Sequence, residues 1–208
     1  IGQALATAFA VDKVAEFVKG ATLEFGRFEQ LVGGVDALFG EESGKKLQEN
    51  AAKAFETAGL SANEYMDTST AFAASLIQSL GGDTEAAVGM VDTAITDMAD
   101  NSNTMGSQIE SLQNAYKGFV RGSYVMLDNL KLGYSGTKSE MARLINDTGV
   151  LGDTVVTVST MTEQGNFDEV VSFDTVIRAI HAKQEELKID ADADYFYTCM
   201  NNTVYGSK

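Results

Sequence analysis

No proline occurs in the 208 residues, whereas glycine occurs 20 times. Proline ends a helix by covalent geometry, because its φ is fixed and it has no amide donor. A chain without it can run in long helices, and glycines and polar caps are left to end them. The apolar residues agree with that expectation. Leu5, Phe9, Val14, Phe17 and Val18 fall on one side of a helical wheel, opposite Asp12, Lys13, Glu16 and Lys19. Past a bend at Gly20 the face continues through Leu23, Phe25, Phe28, Leu31, Val32, Val35, Leu38 and Phe39, so residues 1–39 read as helix. Its polar side carries both signs of charge, which favours a packed helix over one lying on a membrane.

Beyond residue 39, caps and glycines divide the chain. A helix over 42–58, with Leu47, Ala51, Ala54, Phe55 and Ala58 inward, stops at Gly59. Ser61 and Glu64 form a capping box for a helix over 62–80, which Gly81 and Gly82 end. Asp83 caps a helix over 84–100, with Ala87, Met90, Val91, Ala94, Ile95 and Met98 inward, and the polar residues 100–103 break it. A fifth helix over 104–117 carries Ile109, Leu112, Ala115, Tyr116 and Phe119 on one side, and Gly118 and Gly122 interrupt the pattern. A dense apolar run, Tyr124, Val125, Met126, Leu127, Leu130 and Leu132, leads to a turn at Gly133 to Gly136. Burial is expected for Tyr124, Met126, Leu127, Leu130 and Leu132, since each large apolar side chain gains roughly 1.5–3 kcal/mol on leaving water. Thr137 and Glu140 then form a second capping box, for a helix over 138–147.

The β-branched run Thr154 to Thr160 has strand propensity but no sequence partner to pair with, and it reads as an extended connector. Asn166 and Glu169 cap a helix over 167–188, with Val170, Phe173, Val176, Ile177 and Ile180 buried. A last helix over 191–204 packs through Tyr195, Phe196, Cys199 and Met200. The expected fold is all-α: a compact or partly elongated antiparallel array with short Gly-containing turns. Two regions are expected, a helical one over 1–150 and a C-terminal helical one over 151–208 after the connector.

Charge and chemistry narrow the function. The formal net charge is −15, and the only adjacent basic pair, Lys45-Lys46, is flanked by acids, so the chain is not expected to bind a phosphate backbone directly. The longest apolar run falls far short of the roughly 20 residues that span a bilayer. One cysteine, Cys199, excludes an intramolecular disulfide. Gly133, Gly136, Thr137, Lys138 and Ser139 only superficially resemble a phosphate loop, because the spacing is wrong and no strand precedes them. His181 and Glu185 share a helix face but make too few ligands for a metal. Asp190, Asp192 and Asp194 open a calcium-loop pattern that fails at Tyr195 and Asn201. No nucleophile–histidine–acid motif appears. The sequence therefore indicates a non-enzymatic protein with no catalytic residue, cofactor or metal.

Several longer motifs occur in a fixed order. They are Phe28-Glu29-Gln30-Leu31-Val32-Gly33-Gly34-Val35, Thr57-Ala58-Gly59-Leu60-Ser61-Ala62-Asn63-Glu64-Tyr65-Met66, and Gln78-Ser79-Leu80-Gly81-Gly82-Asp83-Thr84. Ala94-Ile95-Thr96-Asp97-Met98, Leu127-Asp128-Asn129-Leu130-Lys131-Leu132-Gly133-Tyr134, Gly136-Thr137-Lys138 and Ala179-Ile180-His181 complete the series. This series, over about residues 28–187, resembles the tape measure proteins of long-tailed phages and prophages of Gram-positive bacteria. The ending, from Asp190 onward, departs from the family pattern.

The resemblance implies a helical structural protein that sets tail length during assembly and is released at DNA ejection. It implies tail-tube and tail-tip proteins and further copies of itself as partners, and the virion tail lumen, after the host cytoplasm, as its location. A chain starting without Met inside an apolar pattern is expected to be a piece of a longer polypeptide. The runner-up is a stand-alone acidic helical module that inhibits a host or defence nucleic-acid-binding protein. Its partner would be basic, and Glu41, Glu42, Asp97 and Asp100 are the candidate partner surface. A cell-wall hydrolase, known as an insertion in some tape measure proteins, finds none of its motifs here.

Overall fold

The computed structural model of the chain describes residues 23–161 and 171–187. The expected helix before residue 23, the Asn166–Glu169 cap with Val170, the helix over 191–204, Cys199 and the Asp190, Asp192 and Asp194 set all lie outside them. The protein is all-α: 74% of the described residues are helical and none lies in a strand. Seven α-helices are described: α1 (residues 23–39), α2 (Glu41–Ala58), α3 (Ala62–Ser79), α4 (Thr84–Met105), α5 (Ile109–Phe119), α6 (Lys138–Thr148) and α7 (residues 173–187). A short 3₁₀ turn spans Leu127–Leu130. The chain divides into two compact units between Thr70 and Ala71, within α3.

In the first unit a single residue, Gly40, separates α1 from α2. Its φ of +80° is open to glycine and strained for other residues, so the corner depends on it. Val35, Phe39, Leu47, Ala51 and Ala54 are buried, and so are Tyr65 and Met66 at the start of α3. The Ser61–Glu64 box forms in both directions: the Ser61 amide donates to the Glu64 carboxylate at 2.9 Å, and the Glu64 amide to Ser61 Oγ at 3.3 Å. The Ser61 amide first, and then the Ser61 hydroxyl, which donates to the same carboxylate at 2.7 Å, hold the Glu64 carboxyl below its usual range. The N-terminal half of α1 is held by polar contacts. Asn63 donates to the Glu24 carboxylate at 2.8 Å, and Arg27 reaches Asp67 at 3.8 Å. Leu23, Phe25, Phe28 and Leu38 stay exposed.

The second unit takes the rest of α3, then α4 to α7. Asp83 caps α4 as its sequence indicates, accepting from the Ala86 amide at 2.9 Å. The break expected at residues 100–103 does not occur. Helix α4 runs to Met105 and stops at Gly106, and α5 starts at Ile109 instead of residue 104. The polar side chains that suggested a break bond outside the helix instead. Asn101 donates to the Leu130 carbonyl at 2.7 Å and Ser102 to the Ser107 carbonyl at 2.8 Å. Gly118 lies inside α5, and the turn comes after Phe119. Helix α7 begins at Phe173, after the non-helical Val171 and Ser172, so the start expected at 167 is corrected. Its Phe173, Val176, Ile177 and Ile180 are buried, and Phe173 meets Phe72 of α3 edge-on, with ring centroids 5.9 Å apart.

The β-branched run is an extended connector without a strand. One side chain of α6 satisfies its backbone at Val156. Asn146 accepts from the Val156 amide and donates to the Val156 carbonyl, both at 2.8 Å, which supplies the two bonds a neighbouring strand would give. The bond joins residues on either side of position 150 within the second unit.

Candidate functional site

The residues from Val120 to Thr137 have no regular structure beyond one 3₁₀ turn, yet they hold five anchors in the core: Tyr124, Leu127, Leu130, Leu132 and Tyr134. Met126, expected among them, is 43% exposed, and Val125 lies outside as well. The reason is the turn itself. Leu127 and Leu130 are three apart, one 3₁₀ repeat, and share the inner side while Met126 faces out.

Three side chains fasten this connector to the end of α4. Asn101 binds the Leu130 carbonyl, and Ser107 donates to the Asn129 carbonyl at 2.9 Å. In return Lys131, in the left-handed region at φ 54°, sends its ammonium to the Met105 carbonyl at 2.8 Å and the Gly106 carbonyl at 3.2 Å. These carbonyls lie at the negative end of the α4 dipole, where a cation is favoured. Phe119 of α5 stacks on Tyr124 at 6.0 Å, which fixes the connector's entry.

The exit is fastened to α6. Thr137 accepts from the Glu140 amide at 3.2 Å, so the second cap forms, but the Glu140 carboxylate turns to the Ser135 amide and to Arg143 instead of closing the box. Arg143 lies 4.3 Å from the Tyr134 ring centre and donates to the Gly133 carbonyl at 3.1 Å. The Tyr134 hydroxyl donates to Asp147 at 2.9 Å. Burial, then that bond and the Asp147 charge, push the Tyr134 phenol up to about 12 against the opposing Arg143 charge. Gly136 passes so close to Val125 that a Cβ there would sit 2.1 Å from the Val125 carbonyl oxygen, which leaves no room for a side chain.

One turn before Asn101, Asp97 is buried at 2% exposure and accepts from His181 Nδ1 of α7 at 2.9 Å. The imidazole is about half exposed. Tyr116 of α5 buries its hydroxyl in this region, and that hydroxyl makes no hydrogen bond among the described residues. Burial first, and the Asp97 charge second, hold the phenol far above its normal range, so it stays neutral. The arrangement joins α4 to α7 through a carboxylate in an apolar setting.

The carboxylates suggested as a partner surface are divided between the two units. Glu41 and Glu42 are exposed in the first turn of α2, in the first unit. Asp97 and Asp100 belong to the second unit, where Asp97 is buried and Asp100 is partly exposed. Asp97 is therefore corrected from surface residue to core residue, because its carboxylate faces His181. Among the described residues no three His, Cys, Asp or Glu side chains converge to hold a metal, and no helix is long and apolar enough to cross a membrane.

Sequence reasoning missed Asn101, Ser107 and the Asp97–His181 pair. A signal existed for two of these residues: Asp97 and Asn101 share the helical side of Ala94 and Met98, where polar side chains need buried partners. No protein-family model, curated protein or solved structure matches the chain.

Proposed function

We propose that this chain is a structural segment of a phage tail tape measure protein, a helical scaffold that acts by geometry and not by bond chemistry. The observation that carries the reading is the ordered series of tape-measure-like motifs. One of them, Leu127 to Tyr134, is used for docking: Leu127, Leu130 and Leu132 enter the core, Lys131 caps α4 and Tyr134 binds α6. A motif devoted to joining helices suits a protein whose product is a shape.

The test is genetic and physical. In tailed particles from the source strain, peptides of this chain should be found by mass spectrometry. In-frame duplication of the segment in its gene should lengthen the tail seen by electron microscopy. Particles that lack the peptides, or tails unchanged by duplication, would overturn the reading. The acidic-inhibitor alternative keeps Glu41 and Glu42 exposed but loses Asp97. It requires salt-sensitive, sub-micromolar binding to a basic nucleic-acid-binding protein, weakened by Glu41→Gln with Glu42→Gln.

A further inference from the structure

On α1, Phe25, Phe28, Val32, Val35 and Phe39 recur at spacings of three and four, which puts them in one stripe along the helix. Only the C-terminal half of the stripe is covered. Val35 and Phe39 are buried and Val32 is half-buried, whereas Phe28 is 38% and Phe25 62% exposed. Both borders of the stripe are acidic. Glu29 and Asp36 follow Phe28 and Val35 along one edge, and Glu24 precedes Phe25 along the other. Glu24 and Asp36 accept from the neutral amides of Asn63 and Gln48, which leave their charges uncancelled. The neighbouring cation, Arg27, is turned away to Asp67 of α3.

We propose that the open half of this stripe is a docking site for an amphipathic helix of another protein, one with apolar residues at the same spacing and lysine or arginine beside them. Phe25, Phe28 and Val32 stand at i, i+3 and i+7, the anchor spacing by which one helix packs along another. Aromatic rings are also the side chains that contribute most when a partner covers them. The charges select the partner. A second copy of this chain on the same stripe would set acid against acid in either direction. Antiparallel packing brings the Glu29 and Asp36 edges together, and parallel packing brings that edge against Glu24. A helix with basic borders meets opposite charge in both directions.

The experiment titrates the whole chain into three labelled synthetic peptides of equal length, followed by fluorescence anisotropy. The first carries leucines at spacings of three and four with lysines beside them. The second has glutamates in place of the lysines, and the third is the first in scrambled order. The first should bind at least about tenfold more tightly than either of the others. Phe25→Ser with Phe28→Ser should weaken it by about tenfold or more, without changing the thermal unfolding of a chain in which both rings are exposed. Glu29→Lys should weaken the lysine peptide and strengthen the glutamate one. A lysine peptide that fails to bind, or binds no better than its scrambled form, would overturn the proposal, since only net charge would then attract it. Binding untouched by the phenylalanine substitutions would overturn it as well. So would self-association of the wild-type chain in sedimentation that the same substitutions abolish, because a second copy would then cover the stripe.

Discussion

The connector between α5 and α6 and the helix α1 reverse the usual relation between regularity and burial. Helix α1 has the cleaner pattern, an apolar face repeating at helical spacing from Leu23 to Phe39, yet of its large apolar residues only Val35 and Phe39 are buried. The connector has almost no repeat, yet Tyr124, Leu127, Leu130 and Leu132 are each under 5% exposed. The difference lies in what satisfies the backbone. A helix pairs its own amides and carbonyls and can stand with its apolar face uncovered. An irregular segment cannot be buried until other groups take its polar atoms, and Asn101 and Ser107 do that here, while Lys131 ties the connector back to the end of α4. Periodicity reports that a segment can be buried, and side-chain bonds to the backbone allow burial where no periodicity exists.

Substitutions should separate the two regions. The largest loss is expected for Leu130→Ala, which empties a fully packed position at a cost of about 2–5 kcal/mol, measured by denaturant unfolding. Gly136→Ala should come next, near the roughly 3 kcal/mol upper end of overpacking, because the obstacle is the Val125 backbone and cannot rotate away. Asn101→Leu should cost about 1–3 kcal/mol by leaving the Leu130 carbonyl buried and unbonded. If Asn101→Leu proves neutral, the connector is held by its apolar anchors alone. At the other extreme, Phe28→Ser in α1 should stay within about 0.5 kcal/mol of wild type.

A pH series probes the connector side alone. The Tyr134 phenol titrates at about 12 when folded, above the unfolded value near 10. Its contribution is therefore complete below about pH 10 and is lost as pH rises through 12. Tyr134→Phe should reduce the alkaline fall in melting temperature without removing it, since the buried Tyr116 and Tyr124 phenols are raised as well.

The features legible in the sequence are the local ones. The Ser61–Glu64 and Asp83 caps join residues three apart, and both form as the spacing indicates. The Thr137 cap is legible too, but its closing arm is not, because Ser135 and Arg143 compete for Glu140. The Asp97–His181 pair spans 84 positions and the Asn101–Leu130 bond 29, and no local rule links such residues. For the same reason residues 100–103 read as a helix break, although Asn101 in fact serves a distant carbonyl from within the helix. Met126 escapes sequence reasoning on related grounds: within an irregular run, no period says which of two adjacent apolar residues turns inward.

If bonded side chains give the connector the stability of a helix, native-state hydrogen exchange will show it amide by amide. The Leu127 and Lys131 amides, bonded to the Tyr124 and Asp128 carbonyls, should exchange as slowly as interior amides of α4 such as those of Val91 and Ile95. Amides of the exposed half of α1, around Phe28, should exchange at least about tenfold faster by the same reasoning. Connector amides that exchange as fast as those of α1, while α4 remains protected, would mean that the Asn101, Ser107 and Lys131 bonds do not hold the connector in place.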